Sequence, residues 1–262
     1  MNPKFEALSQ DLATAWLSHG MVYLPVAEDA PQSRAEAFEI QEQIERLLGD
    51  TIVGWKVGAA TRAVQILEGH DGPVVGWLMR SRIHQNGAKV PAEMYAGYKI
   101  ECEFAFRFLQ DVSPRSSPYT RAEIDPLIVL HPGLEISGSR WMVDPQGRKV
   151  TTYDSIADSG TGAGYVTSND IADWHGLDLE HMDIVAKIDD GDRIEMYTGD
   201  FRCDPAEIVL ETVNGLSSRG RGVAKGDLIS TGSLTLPTPL EPGQTYVGQF
   251  GDLGTLSVTM GS

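Results

Sequence analysis

Two glutamates lie two positions apart within an apolar run, a spacing that could hold a cation. Residues 98–109 have the pattern of one long strand, in which successive side chains point to opposite faces. Glu101 and Glu103 therefore share one face, and Cys102 and Phe104 share the other, core-like face. Adjacent carboxylates repel each other unless protons or a cation lie between them, and Mg²⁺ and Mn²⁺ prefer carboxylate oxygens. Glutamates that face water on a half-exposed strand have the same spacing, so the residues alone leave both interpretations open.

Two further charged residues stand among apolar and glycine neighbours. Glu135 lies in the strand-like segment 131–137, where it could add a third carboxylate to the pair. Lys56 lies in the short strand predicted at 51–58, where it could hold a substrate carboxylate or stabilise a developing enolate. The ordinary alternatives are a surface glutamate and a lysine at a strand edge that extends its charged end into water.

Other motifs exclude several classes of enzyme. The glycine clusters at 159–164 and 230–233 let backbone N–H groups approach an anion, but no Gly-Lys-Ser/Thr follows them, which excludes a P-loop. The six histidines show no zinc-hydrolase spacing, and the Gly-x-Ser-x-Gly elbow of serine hydrolases is absent. Cys102 falls on the apolar face, which makes it a poor nucleophile.

The composition of the chain indicates which kinds of partner and which cellular compartment to expect. The chain has 262 residues, with 21 Lys and Arg against 37 Asp and Glu, and its formal net charge is −16. Such an acidic chain repels phosphate backbones, which argues against a nucleic-acid partner. Its two cysteines make no disulfide scaffold, and neither a signal pattern nor an apolar run of about 20 residues occurs. We therefore expect a cytoplasmic protein with no membrane partner.

The spacing of apolar residues predicts an α+β fold. Helices are expected over 4–19 and 33–48, so residues 1–50 are predicted to form a helical N-terminal segment. Strands dominate residues 51–262, which we expect to form a single compact catalytic body. Strands and helices do not alternate regularly in it, which disfavours a doubly wound sheet.

Taken in chain order, the segments that carry these residues form a series. They lie at 54–58, 101–106, 134–136, 154–158 and 226–233. Their order and spacing resemble the 2-keto-4-pentenoate hydratase / 4-oxalocrotonate decarboxylase branch of the fumarylacetoacetate hydrolase superfamily. The resemblance runs from about residue 50 to the C-terminus, and the helical start fits it as well.

The resemblance implies a fold, a cofactor and a set of site residues. The expected body is a mixed β-sandwich or roll of the fumarylacetoacetate hydrolase C-terminal type, assembled as a homo-oligomer. A Mg²⁺ or Mn²⁺ ion is implied, with Glu101, Glu103 and Glu135 as its ligands. Seven further residues acquire implied roles: Lys56, Thr161, Ser159 and Asp158 as catalytic groups, and Thr231, Ser233 and Arg140 as substrate-binding groups.

The implied activity is that of a divalent-metal-dependent lyase of the hydratase type, as in the meta-cleavage catabolism of aromatic compounds. Its substrate would be a small 2-hydroxy-2,4-dienoate or related 2-keto acid that reacts through a metal-stabilised enolate. Because related reactions share the enolate, three alternatives stay open. They are a 4-oxalocrotonate-type decarboxylase, an acylpyruvate-type C–C bond hydrolase, and a non-catalytic subunit that binds a metal or a keto acid.

Three features of the sequence bear on these alternatives. Val74 stands where hydratases of this branch carry an aspartate, and Gly138 stands where another acid is expected. Both changes weaken the hydratase assignment. A hydrolase needs a base that activates water, and relatives often use a His–Glu pair near the N-terminus. His19 is the only histidine in residues 1–50 and has no obvious partner, which disfavours hydrolysis.

Overall fold

The helices lie mainly before and between the strands of a larger sheet. The computed structural model describes residues 3–95, 97–144 and 147–262. Within them the helices are α1 (Pro3–Ser18), α2 (Arg34–Leu48), α3 (Arg62–Glu68), α4 (Ala92–Tyr95), α5 (Arg121–Ile124), α6 (Thr152–Ala157) and α7 (Pro205–Ser218). Local chemistry explains the bounds of α2, since Ser33 accepts a hydrogen bond from the Glu36 N–H and Gly49 ends the helix in the left-handed conformation. The two helices predicted before residue 50 are confirmed.

Strands make up most of the regular structure after α2. They are β1 (Val22–Tyr23), β2 (Ile52–Gly58), β3 (Val74–Met79), β4 (Ile83–Gln85), β5 (Ala88–Val90), β6 (Lys99–Phe108), β7 (Ile128–Ser137), β8 (Trp141–Met142), β9 (Gly162–Thr167), β10 (Ile184–Ile188), β11 (Leu228–Ser233), β12 (Thr238–Pro239), β13 (Thr245–Phe250) and β14 (Thr255–Met260). The large mixed sheet has the order β3-β2-β11-β6-β7-β9-β4, with β12 paired to β6. A second sheet has the order β10-β13-β14-β5, and β1 pairs with β8.

The two sheets pack together across the core face of β6. A Cβ atom added to Gly248 of β13 would lie 2.5 Å from the Cys102 sulfur, so the β13 backbone packs directly on that side chain. The rings of Phe104 and Phe250 are 5.9 Å apart between the same two sheets. Cys102 and Phe104 are fully buried, as the alternation of side chains predicts. The opposite face of β6 carries Glu101 and Glu103.

Helix α2 is fastened to the large sheet by a buried amide. The Gln41 side chain donates to the Val75 carbonyl at 2.9 Å and to the Ile156 carbonyl at 2.7 Å, which joins α2 to β3 and α6.

The architecture confirms an α+β fold, whereas the division into residues 1–50 and 51–262 stays a prediction. In the described ranges no helix is long and apolar enough to cross a membrane.

Candidate metal centre and substrate cavity

Three glutamates meet on one face of the antiparallel pair β6 and β7. The register sets Glu101 opposite Glu135 and Glu103 opposite Gly133. Glu101, Glu103 and Glu135 are 4%, 1% and 0% exposed. One carboxylate oxygen of each lies within 4.8 Å of the others. The alternative of glutamates that face water is therefore wrong for all three.

The carboxylates lack the partners that buried polar groups usually have. The Ser233 hydroxyl donates a short hydrogen bond to Glu101. Among the described residues, neither oxygen of Glu103 has a hydrogen-bond partner, and Glu135 has only the ammonium of Lys56 beside it. Buried polar atoms are normally hydrogen-bonded, so these oxygens fit a hard divalent cation, which takes carboxylate ligands.

Crowding of like charges shifts the titration of the cluster. Burial, and then the charge of Glu135, raise the pKa of Glu101 to about 8. Burial, followed by the charges of Glu135 and Glu101, raises the pKa of Glu103 well above its usual value. A bound dication would offset both penalties, which makes the cluster suited to one.

Lys56 extends from β2 into the same cluster. Its side chain is 4% exposed, and its Nζ lies 3.2 Å from Glu135 Oε1 and donates to the Gly160 carbonyl at 2.9 Å. Burial alone would lower the pKa of Lys56, but the three carboxylates together raise it above its ordinary value. The lysine is therefore a buried, charged group, and the alternative of a strand-edge lysine in water is wrong.

A short 3-10 turn, Ser159–Thr161, presents its backbone to Lys56. Ser159, Gly160 and Thr161 have φ values of +50°, +63° and +59°, in the left-handed region that residues other than glycine rarely adopt. Gly76 of β3 permits the close approach of this turn, because a Cβ there would lie 1.9 Å from the Ser159 carbonyl oxygen. The turn is thus held in a strained conformation against β3, beside the cluster.

The cluster opens into a cavity of about 590 Å³. Lys56 and Glu101 line its charged end. Three hydroxyl side chains named from the sequence, those of Thr161, Thr231 and Ser233, lie in its wall. The rest of the wall mixes polar groups with apolar side chains, which include Val64, Val74, Phe104, Phe201, Leu234 and Pro237. A cavity of this size suits a small organic acid.

Three of the predicted site residues do not line this cavity. Arg140 and Asp158 form a fully buried ion pair, with Arg140 Nε 2.5 Å from Asp158 Oδ1. Arg140 also donates to the carbonyls of Asp158 and Gly162. Ser159 is buried, and its Oγ accepts a hydrogen bond from the Trp77 N–H. The structure places these three residues in the framework behind the turn and outside the cavity wall, and the catalytic roles of Asp158 and Ser159 and the substrate-binding role of Arg140 stay predictions.

Sequence reasoning missed other residues of the cavity. His70 and Glu68 line it together, with His70 Nε2 3.6 Å from Glu68 Oε2 and Nδ1 3.2 Å from Thr152 Oγ1. Burial lowers the pKa of His70. Arg202 also lies in the wall. The segments around these residues carry no distinctive local pattern, so only their position in the fold identifies them.

Tyr165 of β9 covers the inner side of the cluster. A Cβ at Gly133 would lie 2.3 Å from the tip of the Tyr165 ring, so glycine is required for this approach. The hydroxyl of Tyr165 is buried and has no hydrogen-bond partner in the part of the chain that the structure describes. A glycine within a strand indicates close approach, and Gly133 was the one local signal for this contact.

Comparisons with known proteins agree with the fold. No family model matches the chain. A 4-oxalocrotonate decarboxylase of Pseudomonas sp. (strain CF600) is 26% identical over 242 residues, which cover 88% of each chain. A 2-keto-4-pentenoate hydratase of Paraburkholderia xenovorans is 25% identical over 260 residues, covering 96% of this chain and 93% of the relative. The solved 4-oxalocrotonate decarboxylase from Pseudomonas putida G7, complexed with magnesium and adipate, superimposes with a TM-score of 0.85 at 22% identity, covering 99% of this chain and 98% of that one.

The chain shares its fold with solved proteins of the fumarylacetoacetate hydrolase family. In sequence, the chain is similar to 2-keto-4-pentenoate hydratases and 4-oxalocrotonate decarboxylases over most of its length. The resemblance found in the sequence motifs is therefore confirmed.

Proposed function

We propose that this protein is a divalent-metal-dependent lyase of the hydratase type. It acts on a 2-hydroxy-2,4-dienoate or related 2-keto acid, as in meta-cleavage catabolism of aromatic compounds. One observation carries the proposal: three buried carboxylates without sufficient partners lie together with a buried lysine, and two members of this group, Glu101 and Lys56, line a cavity of about 590 Å³. The relatives named above, a 4-oxalocrotonate decarboxylase and a 2-keto-4-pentenoate hydratase, support the proposal.

Glu101, Glu103 and Glu135 would hold the metal, and Mg²⁺ or Mn²⁺ is the ion their oxygens suit. A divalent cation there supplies Lewis-acid stabilisation of negative charge on a substrate oxygen. The protein's own groups do the rest. Lys56 keeps its proton and adds a fixed positive charge beside the oxygens where an enolate develops.

The hydroxyls in the wall orient the substrate. Ser233 donates to Glu101, which restricts that carboxylate to one orientation. Thr231 donates to the Phe104 carbonyl at 2.9 Å, and Thr161 donates to the Gly160 carbonyl at 2.6 Å. Each threonine oxygen keeps a lone pair for a substrate hydroxyl or for water.

Two alternatives have a specific observation in their favour. Val74 lines the cavity, so its wall offers no carboxylate at that position, and this favours a decarboxylase, which needs no water addition. His70 and Glu68 form a loose pair in the same wall, which favours a C–C bond hydrolase, because such a pair can activate water. A subunit that binds the metal or keto acid without turnover is the remaining alternative.

We also propose a cytoplasmic homo-oligomer. Cys102 and Cys203 are both free thiols, as in proteins of reducing compartments. Exposed apolar side chains before α2, among them Leu17, Met21 and Tyr23, are available for contact with a second copy.

The test is an absorbance assay on protein stripped of metal with EDTA. We expect 2-hydroxypenta-2,4-dienoate to lose its dienol absorbance only when Mg²⁺ or Mn²⁺ is added, with a 4-hydroxy-2-oxo acid as product. Glu135→Gln should abolish the reaction, whereas the matched change of an exposed glutamate, Glu241→Gln, should not. Release of CO₂ from a 2-oxo dioate, or cleavage of an acylpyruvate into two acids, would replace the hydratase assignment with the corresponding alternative. Metal binding with no turnover of any of the three would support the binding subunit.

A further inference from the structure

A second cavity, of about 310 Å³, lies between helices α2 and α7 and strands β2 and β3. We call it the α2–α7 cavity, and the cavity that Lys56 and Glu101 line the glutamate cavity. The two have no lining residue in common. The apolar side chains of the α2–α7 cavity are Phe38, Val57, Pro73, Val75, Ile208 and Leu216.

The two cavities lie on opposite faces of the same pair of strands. Val57 and Val75 are paired across β2 and β3 and line the α2–α7 cavity. Lys56 and Val74, which directly precede them in the chain, line the glutamate cavity. Successive side chains of a strand point to opposite faces. A molecule in the α2–α7 cavity would therefore pack against the strands that position Lys56.

Arg219, just after α7, brings a positive charge to the wall of the α2–α7 cavity. Its Cζ lies 3.6 Å from the centre of the Phe38 ring, so the guanidinium reaches from α7 to the cavity wall on α2. Nε donates to the Gly215 carbonyl at 3.4 Å, and Nη1 is buried with no hydrogen-bond partner in the described ranges. Burial lowers the pKa of Arg219 to about 10, although the charge of Glu42 opposes that effect. Buried N–H groups are normally hydrogen-bonded, so this guanidinium fits an anion.

The other charged groups of the wall leave Arg219 available. Arg34 is paired with Asp71, its Nη2 lying 2.8 Å from Oδ1. Glu211 also lines the cavity, and within the described part of the chain it forms no ion pair with Arg219. Burial, followed by the charge of Glu207, raises the pKa of Glu211. The cavity therefore combines apolar side chains with one guanidinium that lacks a carboxylate.

A glycine in the last turns of α7 keeps the wall open. Gly215 lines the α2–α7 cavity, and a Cβ there would meet no atom within 4 Å. Glycine inside a helix costs about 1 kcal/mol relative to alanine, and no neighbouring atom requires it at this position. The missing side chain leaves space for a ligand.

We propose that the α2–α7 cavity is a regulatory site that binds a small hydrophobic monocarboxylate. The planar guanidinium of Arg219 matches two carboxylate oxygens, and the apolar side chains take the hydrocarbon part of the molecule. Because β2 and β3 form part of both walls, the bound acid changes the affinity of the glutamate cavity for its own ligands. The site does not depend on which reaction the glutamate cavity catalyses.

The first test compares benzoate with benzamide, its uncharged analogue of the same shape. Calorimetry uses the full chain stripped of metal with EDTA, so that no cation at the glutamates attracts the carboxylate. We expect benzoate to bind more tightly than benzamide, and Arg219→Met to weaken benzoate binding at least about tenfold while benzamide binding is unchanged. Arg46→Met, which removes an exposed arginine of α2 outside both cavities, is the matched control.

The second test fills the cavity without burying a new charge. Gly215→Leu should abolish benzoate binding and melt at the wild-type temperature or above, since leucine favours a helix more than glycine does. Gly176→Leu, at a position outside both cavities where a Cβ also meets no atom within 4 Å, should bind benzoate as the wild type does.

The third test measures regulation. We expect saturating benzoate to change the Mg²⁺ affinity of the wild type about fivefold or more and to leave that of Gly215→Leu unchanged. Equal benzoate affinity in the wild type, Arg219→Met and Gly215→Leu would overturn the proposed site, and an unchanged Mg²⁺ affinity in the wild type would overturn its regulatory role. A smaller assembly of Gly215→Leu in light scattering would identify the cavity as a contact between copies of this chain and would also overturn the inference.

Discussion

Lys56 Nζ lies 3.2 Å from Glu135 Oε1, although the two residues belong to strands that are not neighbours. In the large sheet, β11 and β6 lie between β2, which carries Lys56, and β7, which carries Glu135. The contact therefore crosses two intervening strands on one face of the sheet, and the face must be concave there. The positive charge of this one lysine thus partly balances the negative charge of the carboxylates that the sheet buries.

Lys56→Met tests what the positive charge of this lysine contributes to catalysis and what it contributes to stability. We expect kcat to fall at least about 100-fold, because a fixed positive charge beside the developing enolate is lost. The metal-free variant should also lose about 3–5 kcal/mol in free energy of unfolding, since Glu135 remains buried without its partner. Urea denaturation and the dienol assay measure the two effects. Lys187→Met, at an exposed position, is the control, and catalysis at the wild-type rate by Lys56→Met would contradict the role given to this lysine.

Glu103→Gln should change stability in opposite directions with and without metal. In metal-free protein the variant should melt at the same or a higher temperature, because one of three crowded carboxylates is removed. Its affinity for Mg²⁺ or Mn²⁺ should fall at least about 100-fold, so saturating metal no longer raises its melting temperature. Calorimetric metal titration and thermal melting give both quantities. Wild-type metal affinity in this variant would remove Glu103 from the ligand set.

Asp158→Asn tests whether Asp158 supports the fold or takes part in the reaction. The change leaves the Arg140 guanidinium buried without a carboxylate, which should cost about 3–5 kcal/mol of stability. The folded fraction should keep a kcat close to that of the wild type, because neither residue lines the cavity. Chemical denaturation and active-site titration make the comparison. A stable variant with a large loss of kcat would show that Asp158 takes part in the reaction.

Gly76→Ala should disturb the turn that faces Lys56. The new Cβ would lie 1.9 Å from the Ser159 carbonyl oxygen, and backbone cannot move aside as a side chain can. We expect a loss of about 3 kcal/mol or more and a lower kcat, since the Gly160 carbonyl accepts from Lys56. Gly176→Ala, where a Cβ meets no atom within 4 Å, should stay within about 0.5 kcal/mol of the wild type. Equal stability of the two variants would contradict the packing described for the turn.

His131 should make the protein less stable in mild acid. The residue is fully buried, its Nδ1 lies 2.9 Å from Asp170 Oδ1, and its Nε2 accepts from the Ser168 N–H. Burial lowers the pKa of His131, although Asp170 opposes that effect and Arg107 adds to it. The unfolded chain therefore binds a proton more readily, and stability falls as pH drops below about 6.5, by up to about 1.4 kcal/mol per pH unit.

Urea denaturation at pH 5.5 and 7.5 measures this effect of His131. His131→Asn should be less stable overall but should lose less stability between the two pH values than the wild type does. The same loss in both proteins would assign the acid sensitivity to other groups.

Some features of this protein follow from sequence alone because they depend on neighbours a few residues away. Alternation along a strand puts Glu101 and Glu103 on one face whatever lies around them. Ser33 and Gly49 bound α2 because a hydroxyl accepts from a nearby N–H and glycine adopts a positive φ. The α+β class could be predicted, and the family motifs recognised, because both also depend on short stretches of the chain.

Tertiary structure decided which charges meet. The register of β6 against β7 sets Glu135 opposite Glu101, and a shift by one residue would send one set of side chains to the other face. The pairing of Arg140 with Asp158 keeps both residues out of the wall of the cavity that Lys56 and Glu101 line. Such contacts join residues far apart in the chain, and burial gives them their energy, so no local pattern could distinguish them.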